Sequence, residues 1–584
     1  MKSENNSVLG LLRVANDKRL AAVLTFVFAC IFTVACATWP DIYDFARTSQ
    51  PEPPRQHLTS PVRLSDDVMI ILRTGYILRE RGIPAFNRID VAQPSTSYIA
   101  PYLFAGLLEL LRPNVAIVFY ALLGLFSVAG TATIIVWYSR STTNALLLVL
   151  LLLSTSTNLM FALNGWDHLF QGFFLAFATA LSLQPGMTSR RMLAASFLLV
   201  LGTLCRPDGL ILSLGILAVL YLATRSRQFI LFGAAPYMVL VGAALALNLH
   251  QFGHLTPTTA RLKFGAAPSL GYILKYIVAN GLLSYSVLTL LVMLTVFYFA
   301  FSTTVPRAKG LIVISCCLVT AAIALYNSDW LGGARMIWSP VCVLAVLIAV
   351  SSPALFSSSK RRLVELLDIA PMYLRQPSAS PSQHTTAGFR AFLAFMTVVV
   401  LGSLASLIAQ RHKSAVVTQN SFYESLTAQQ FFISQWIASN LTPGDGSIGF
   451  FHLGVSYDLP RFEIADFNGL ADESIATLKT NPGGMPGHNK WNVSKTLDKW
   501  NPQAIVPGGP IDPTRPETRA NSLTHAPYLL SNSKITGEYA YCYVPDSAVG
   551  MPDKWGFYLR KDIATRHLDQ LKCPTEQGKR QLEW

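Results

Sequence analysis

Five short segments of this sequence set acids, guanidinium or ammonium groups, or imidazoles beside apolar runs. "RLSDDVMIILRTGYILRERG" (63–82) opens on the carboxylate pair Asp66 and Asp67. "NGWDHLF" (164–170) carries Asp167 and His168, and "CRPDG" (205–209) carries Arg206 and Asp208. "NLHQFGHLTPTTARLKFG" (248–265) supplies His250, His254, Arg261 and Lys263, and "NSDWLGGAR" (327–335) supplies Asp329 and Arg335. Such carboxylates can take a proton from a hydroxyl or hold a divalent ion, and the cations can clamp a phosphate. Each group also has a plain structural reading. Ser65, Asp66 and Asp67 can cap a helix, the acids complementing its positive end. Asp167 and His168 can form a polar helix entrance, Arg206 can cap a helix broken at Pro207, the histidines can be loop residues, and Arg335 can be an interface anchor.

The elements that must hold these groups follow from composition. Of 584 residues, 52% are hydrophobic and only 13% charged, too few polar side chains to wet a soluble globule of this size. The expected fold class is a polytopic α-helical membrane protein with a C-terminal α/β domain. A net charge of +14 would suggest nucleic acid if it sat in one soluble patch, but topology explains it in a membrane chain. No zinc finger, P-loop or dinucleotide fingerprint is present, so nucleic acid is not an expected partner. Cys30, Cys36, Cys205, Cys316, Cys317 and Cys342 fall in or beside apolar runs, as small buried hydrophobes do. Cys542 and Cys573 alone lie in a polar region, and whether they pair depends on the compartment that region faces.

Apolar runs at 20–39, 114–138, 143–162, 166–184, 192–204, 208–223, 229–249, 281–301, 310–326, 336–353 and 390–410 read as about eleven helical spans of a hydrocarbon layer roughly 30 Å thick. The first run is too long for an ordinary signal-peptide core, although "ACA" (35–37) resembles a cleavage site. The run 98–111 is short and holds Pro101 and Glu109, so it is laid at the interface. With residues 1–19 cytoplasmic, the inner segments collect Arg140, Arg190, Arg191, Arg225, Arg227, Arg307, Lys309, Lys360, Arg361, Arg362 and Arg375, whereas the outer loops hold far fewer cations. This threading makes 20–410 a transmembrane module with an outer loop at 40–113, and 354–389 a Ser/Pro-rich inner linker. It leaves 411–584 as an outer α/β domain, with strands at "SIGFF", "AIVPG" and "YAYCYV". The threading puts the tail on the outer side of the membrane.

On a helical wheel of 66–81, Asp66, Arg73, Glu80 and Arg81 share one arc while Val68, Ile71, Leu72 and Tyr76 share the opposite one. The wheel predicts a helix lying flat in the membrane interface. All five polar segments then fall at the outer face. Charge near bilayer depth is costly and usually faces a cavity or a partner, so the mixture suits a reaction on a phosphorylated lipid.

At these residues the sequence resembles a known family. "DDVMIILRTGYILRERGIPAFN", "NGWDHLF", "RPDGLIL", "FGHLTPTTARLKFG" and "DWLGGARMIWSPV", with "WIASNLTPGDGSIGF" and "PGHNKW" in the tail, follow in order the pattern of GT-C type membrane glycosyltransferases. The nearest likeness is to the terminal β-(1→2)-arabinofuranosyltransferases. The resemblance implies a polyprenyl-phosphate sugar donor, arabinofuranose among the candidates, and a cell-envelope glycan, lipid or protein acceptor among the membrane lipids. It also implies a catalytic base at Asp66 or Asp67 and a second acid at Asp167, where relatives often carry a glutamate. Arg206, Asp208, His250, His254, Arg261, Lys263, Asp329 and Arg335 become expected substrate contacts. In the inverting transfer this implies, phosphate leaves already anionic and needs no strong proton donor, so one base can suffice, and no cofactor is expected. A divalent ion on Asp67 and Asp167 is the alternative. The rival class is a transporter or flippase of a lipid-linked or ionic substrate, which would place its acids nearer the midplane and show internal repeats.

Overall fold

A computed structural model describes residues 18–47, 66–139, 142–154, 167–263, parts of 287–295, 307–326, 337–351, 433–479, 490–507, 529, 532–542, 556–571 and 573. The described residues form two compact units. One is drawn from Met1–Tyr43, Ala121–Ala243 and Leu270–Val417, the other from Asp44–Tyr120, Ala244–Ser269 and Thr418–Trp584.

The first unit is helical. Lys18–Arg47 up to Tyr43, Pro113–Tyr138 from Ala121 onward, Thr142–Ser154, Asp167–Leu183, Ser189–Cys205, Gly209–Thr224, Arg227–Phe252 up to Ala243, Arg307–Tyr326 and Trp338–Ser351 follow the predicted apolar runs. The predicted runs at 155–162, at 390–410 and over most of 281–301 lie outside the described residues. Pro113–Tyr138 and Arg227–Phe252, 26 residues each with mean hydropathy 2.1, are long and apolar enough to cross a membrane, at about 39 Å apiece. Only 17% of the apolar window of Arg227–Phe252 is buried, and Leu231, Met238 and Val239 are each more than 60% exposed. An apolar helix with so much bare surface is built for a solvent other than water. Elsewhere the helices close on glycine. A Cβ at Gly172 would meet the Trp338 ring at 2.5 Å, and one at Gly130 would meet Phe173 at 2.6 Å.

The second unit is centred on a five-stranded sheet. Strands β1 (Ile448–Phe450), β2 (Ile464–Asp466), β3 (Ala504–Val506), β4 (Tyr539–Cys542) and β5 (Phe557–Arg560) lie in the order β2-β1-β3-β5-β4. β1 pairs in parallel with β2 and β3, and β5 runs antiparallel to β3 and β4. All residues of β1, β2 and β3 are buried, as in a sheet covered on both faces. The α/β tail is therefore present. "EIAD" and "GFYLR" supply two strands that the sequence reading left unassigned. A disulfide joins Cys542 to Cys573.

The tail does not stand alone in this unit. Residues 85–90 pack on it: Asn87 exchanges two hydrogen bonds with the backbone of Ile464, at 2.8 and 2.9 Å, and the amides of Arg88 and Ile89 donate to the Glu463 carboxylate. Lys499 reaches Asp90 at 2.6 Å. Sequence position separates the first loop from the tail, whereas in the fold they share one core, with Ile70 and Phe86 clustered against Ile448, Phe450 and Ile464.

Candidate functional site

The predicted groups fall into two polar clusters, one in each unit. In the helical unit, Asp167 opens helix Asp167–Leu183, and Arg206 follows the last residue of Ser189–Cys205 in extended conformation. Pro207 cannot continue that helix, so the chain turns and Asp208 precedes the helix Gly209–Thr224. Only glycine fits at 209, where a Cβ would meet Gln171 Nε2 at 2.6 Å and the Gly202 carbonyl at 2.8 Å.

This turn brings three charges together. Arg206 Nη1 lies 3.2 Å from Asp167 Oδ1, and its Nε lies 3.2 Å from Asp208 Oδ1. The side chains of Arg206 and Asp167 are only 6% and 9% exposed. Gln171 completes the cluster. Its Nε2 donates to the Arg206 carbonyl at 3.1 Å and to Asp208 at 3.3 Å, and its Oε1 accepts from Ser339 Oγ at 2.7 Å. His168 is buried beside Asp167, and Trp338 is fully buried next to Ser339. Gln171 and Ser339 escaped the sequence reading. Gln171 lies one turn after Asp167, on the same helix face, and that i+4 spacing was the available signal.

Charges removed from water persist only when paired, and here the pairing is mixed: one cation serves two carboxylates. The guanidinium orients Asp167 and gives it a cation as neighbour. Such a carboxylate can accept a hydrogen bond from a substrate hydroxyl. A divalent ion at Asp167 would have to share it with Arg206, and among the described residues no three His, Cys, Asp or Glu side chains group to hold a metal.

The second cluster lies in the α/β unit, around the segment 253–263. Asn248 Nδ2 donates to the His254 carbonyl, Tyr98 Oη to Leu255, the Thr258 amide to Gln93, and Thr259 Oγ1 to the Pro94 carbonyl. The short helix Thr258–Lys263 then presents Arg261 to Glu473, an acid the sequence reading missed. Glu473 also receives Thr258 Oγ1 at 3.3 Å and stands 3.4 Å from His254 Nε2. Lys490 donates to the carbonyls of Ala476 and Arg261, and burial followed by the Arg261 charge pulls its ammonium below the usual lysine range. His254 and Arg261, expected as substrate contacts, thus share one carboxylate, while His250 is exposed near the end of its helix. Lys263 is the last residue of its helix, and Asp329 and Arg335 lie outside the described residues.

Asp66 and Asp67 are the first two residues of helix Asp66–Arg81, and Asp67 is half-buried. Glu80 and Arg81 are exposed as the wheel predicts. Arg73 is not. It is 1% exposed, and its guanidinium donates to four carbonyls: Phe86 at 3.0 Å, Ser456 at 2.7 Å, Leu459 at 2.9 Å and Phe462 at 2.7 Å. Its Cζ also lies 4.9 Å from the centre of the Phe86 ring. Gly75, half a turn on, admits helix Ala100–Leu110, where a Cβ would meet the Pro101 carbonyl at 2.9 Å. The helix carrying the acid pair is therefore buried at Arg73, in the middle of its supposed polar arc, and exposed only toward its end at Glu80 and Arg81. A wheel assigns faces from residue type and cannot see a ring of tail carbonyls waiting for an arginine.

No protein-family model matches the sequence, and no curated protein matches it. Among solved structures, the chain is similar to ArnT from Cupriavidus metallidurans bound to undecaprenyl phosphate, with 14% identity, a TM-score of 0.48, and coverage of 92% of this chain and 97% of that one. It is also similar to the archaeal oligosaccharyltransferase AglB from Archaeoglobus fulgidus in complex with an inhibitory peptide and a dolichol-phosphate. There the identity is 12%, the TM-score 0.45, and the coverage 92% of this chain and 74% of that one.

Proposed function

We propose that this chain is a multi-pass inner-membrane glycosyltransferase that moves a sugar, arabinofuranose among the candidates, from a polyprenyl phosphate to a cell-envelope acceptor. The observation that carries the reading is the Asp167, Arg206 and Asp208 cluster, an ionic group buried where apolar helices begin and end. Burying these charges costs several kcal/mol per ion by general estimates, a cost that a working site explains better than a structural one.

In the proposed reaction the acceptor hydroxyl oxygen attacks the anomeric carbon from the face opposite the phosphate. The new glycosidic bond forms as the bond from the anomeric carbon to the phosphate oxygen breaks, and the electron pair leaves on the phosphate. Asp66 or Asp67 takes the hydroxyl proton, as the motif resemblance implies. Asp167, oriented by Arg206, is the second acid. Arg261 and Lys263 are cations for the phosphate, each worth up to about 3 kcal/mol where well placed, and an arriving phosphate would replace Glu473 as the partner of Arg261.

The test is to incubate purified full-length protein in membranes with a radiolabelled polyprenyl-phosphate pentose. Label in a new glycoconjugate is the expected result. Label that crosses the bilayer without a new bond would make the chain a transporter. Asp66→Asn or Asp67→Asn is expected to abolish transfer in one of the two variants, and full activity in both would remove the pair from the mechanism.

A further inference from the structure

A second polar feature lies far along the same helices from Asp167. The last residues of Pro113–Tyr138 and Asp167–Leu183 enclose, with Gln184, Pro185, Arg191 and Val350, a cavity of about 430 Å³. That volume falls in the range of roughly 300 to 1,000 Å³ common to small-ligand clefts. The lining is unusual for a chain this apolar, because four of its residues, Trp137, Tyr138, Gln184 and Arg191, have polar groups.

Arg191 is held in place by its own loop: Nη1 donates to the carbonyls of Pro185 at 3.1 Å and Gly186 at 3.3 Å. Those acceptors are neutral. Among the described residues no carboxylate pairs with Arg191 or with its exposed neighbour Arg190, although the ion pairs of the helical unit's other end show that this fold does place acids beside arginines. Arg191 lines the cavity and Arg190 is its neighbour in sequence; both are exposed, so an anion entering there would meet one cation directly and a second close by along the chain. Trp137, half exposed, and Tyr138 are amphipathic rings at the end of an apolar helix, the residue types that settle at the level of lipid headgroups. The distribution of basic residues puts Arg190 and Arg191 on the cytoplasmic side, where the leaflet carries anionic lipid.

We infer that this cavity is a binding site for the phosphate-bearing headgroup of an anionic phospholipid. Arg191 and Arg190 supply the charge, Gln184 a hydrogen-bonding partner for the polar head, and Trp137 and Tyr138 the seat at the headgroup level. The inference goes beyond the glycosyl-transfer reading and does not depend on it, since it requires only that the helices sit in a bilayer.

Native mass spectrometry of the full chain, purified in detergent and titrated with phosphatidylglycerol or phosphatidylcholine, tests it. One phosphatidylglycerol is expected to be retained in preference to phosphatidylcholine. Arg191→Gln and, independently, Arg190→Gln are each expected to weaken retention about fivefold. Arg191→Lys, which keeps the charge, is expected to hold the lipid within about twofold. The exposed Arg190 keeps the test sound if Arg191→Gln fails to fold. Equal retention of phosphatidylcholine, or unchanged affinity in both glutamine variants, overturns the inference. So does displacement of the lipid by millimolar inorganic phosphate, which would assign the cavity to a free anion.

Discussion

Arg73 shows how much one side chain can connect. Four carbonyls from the 85–90 segment and the tail converge on it. Burial pulls its guanidinium down to about 9, with the nearby Glu463 charge opposing, so it stays protonated at neutral pH. Arg73→Met keeps most of the volume but leaves those carbonyls without a donor. The expected loss is about 3 to 5 kcal/mol, read as a lowered melting temperature of the full chain together with faster proteolysis of the tail. Asp466 makes an opposite kind of statement. It is fully buried at the end of β2 and accepts from the amides of Asn468 and Ala471, yet burial raises it to about 7. Its folded pKa exceeds its unfolded one. The stability it contributes is therefore fully present below about pH 4 and is lost as pH rises through about 7. Against Asp466→Asn as reference, the wild-type chain is expected to lose melting temperature between about pH 4 and 7 and to level off above that. A pH-independent difference between the two would refute the assignment.

At the level of elements, the junctions between helices matter more than their spans. The break at Pro207 turns the chain so that Arg206 faces the first residue of another helix and Gln171 closes the cluster from the next turn. Removing only the cation leaves two carboxylates near each other and away from water. Arg206→Met is expected to cost about 3 to 5 kcal/mol, whereas Asp167→Asn combined with Arg206→Met should recover much of that stability. If the cluster belongs to the transfer site, the double variant is stable and inactive. Recovery of activity along with stability would reduce the cluster to a structural pair. Differential scanning fluorimetry and the transfer assay on the same preparations separate these outcomes. In the other unit, Glu473 does for the segment 253–263 what Gln171 does for the turn at 206–208: it gathers groups that are adjacent only in space.

Across the whole molecule, the α/β unit is assembled from three stretches of sequence, and the Cys542 to Cys573 disulfide closes a separation of 31 residues within it. In the loop-entropy view such a closure stabilises by about 3 to 4 kcal/mol. Reduction, or Cys542→Ala with Cys573→Ala, is expected to lower the thermal or denaturant midpoint of the tail by a corresponding amount. A midpoint unchanged by reductant would mean the bond adds nothing.

Helical runs, the chain break at 206–208, the α/β character of the tail and the residues able to carry charge were all legible in the sequence, because each depends on local composition, periodicity or a proline. The partners were not. That Asp167 meets Arg206, that His254 and Arg261 share Glu473, that Arg73 is buried rather than wetted, and that the first loop and the tail share a core are outcomes of contacts between residues tens to hundreds of positions apart. Residue type states what a side chain can bond to, and only the folded path of the chain determines which of many equivalent donors and acceptors comes within reach.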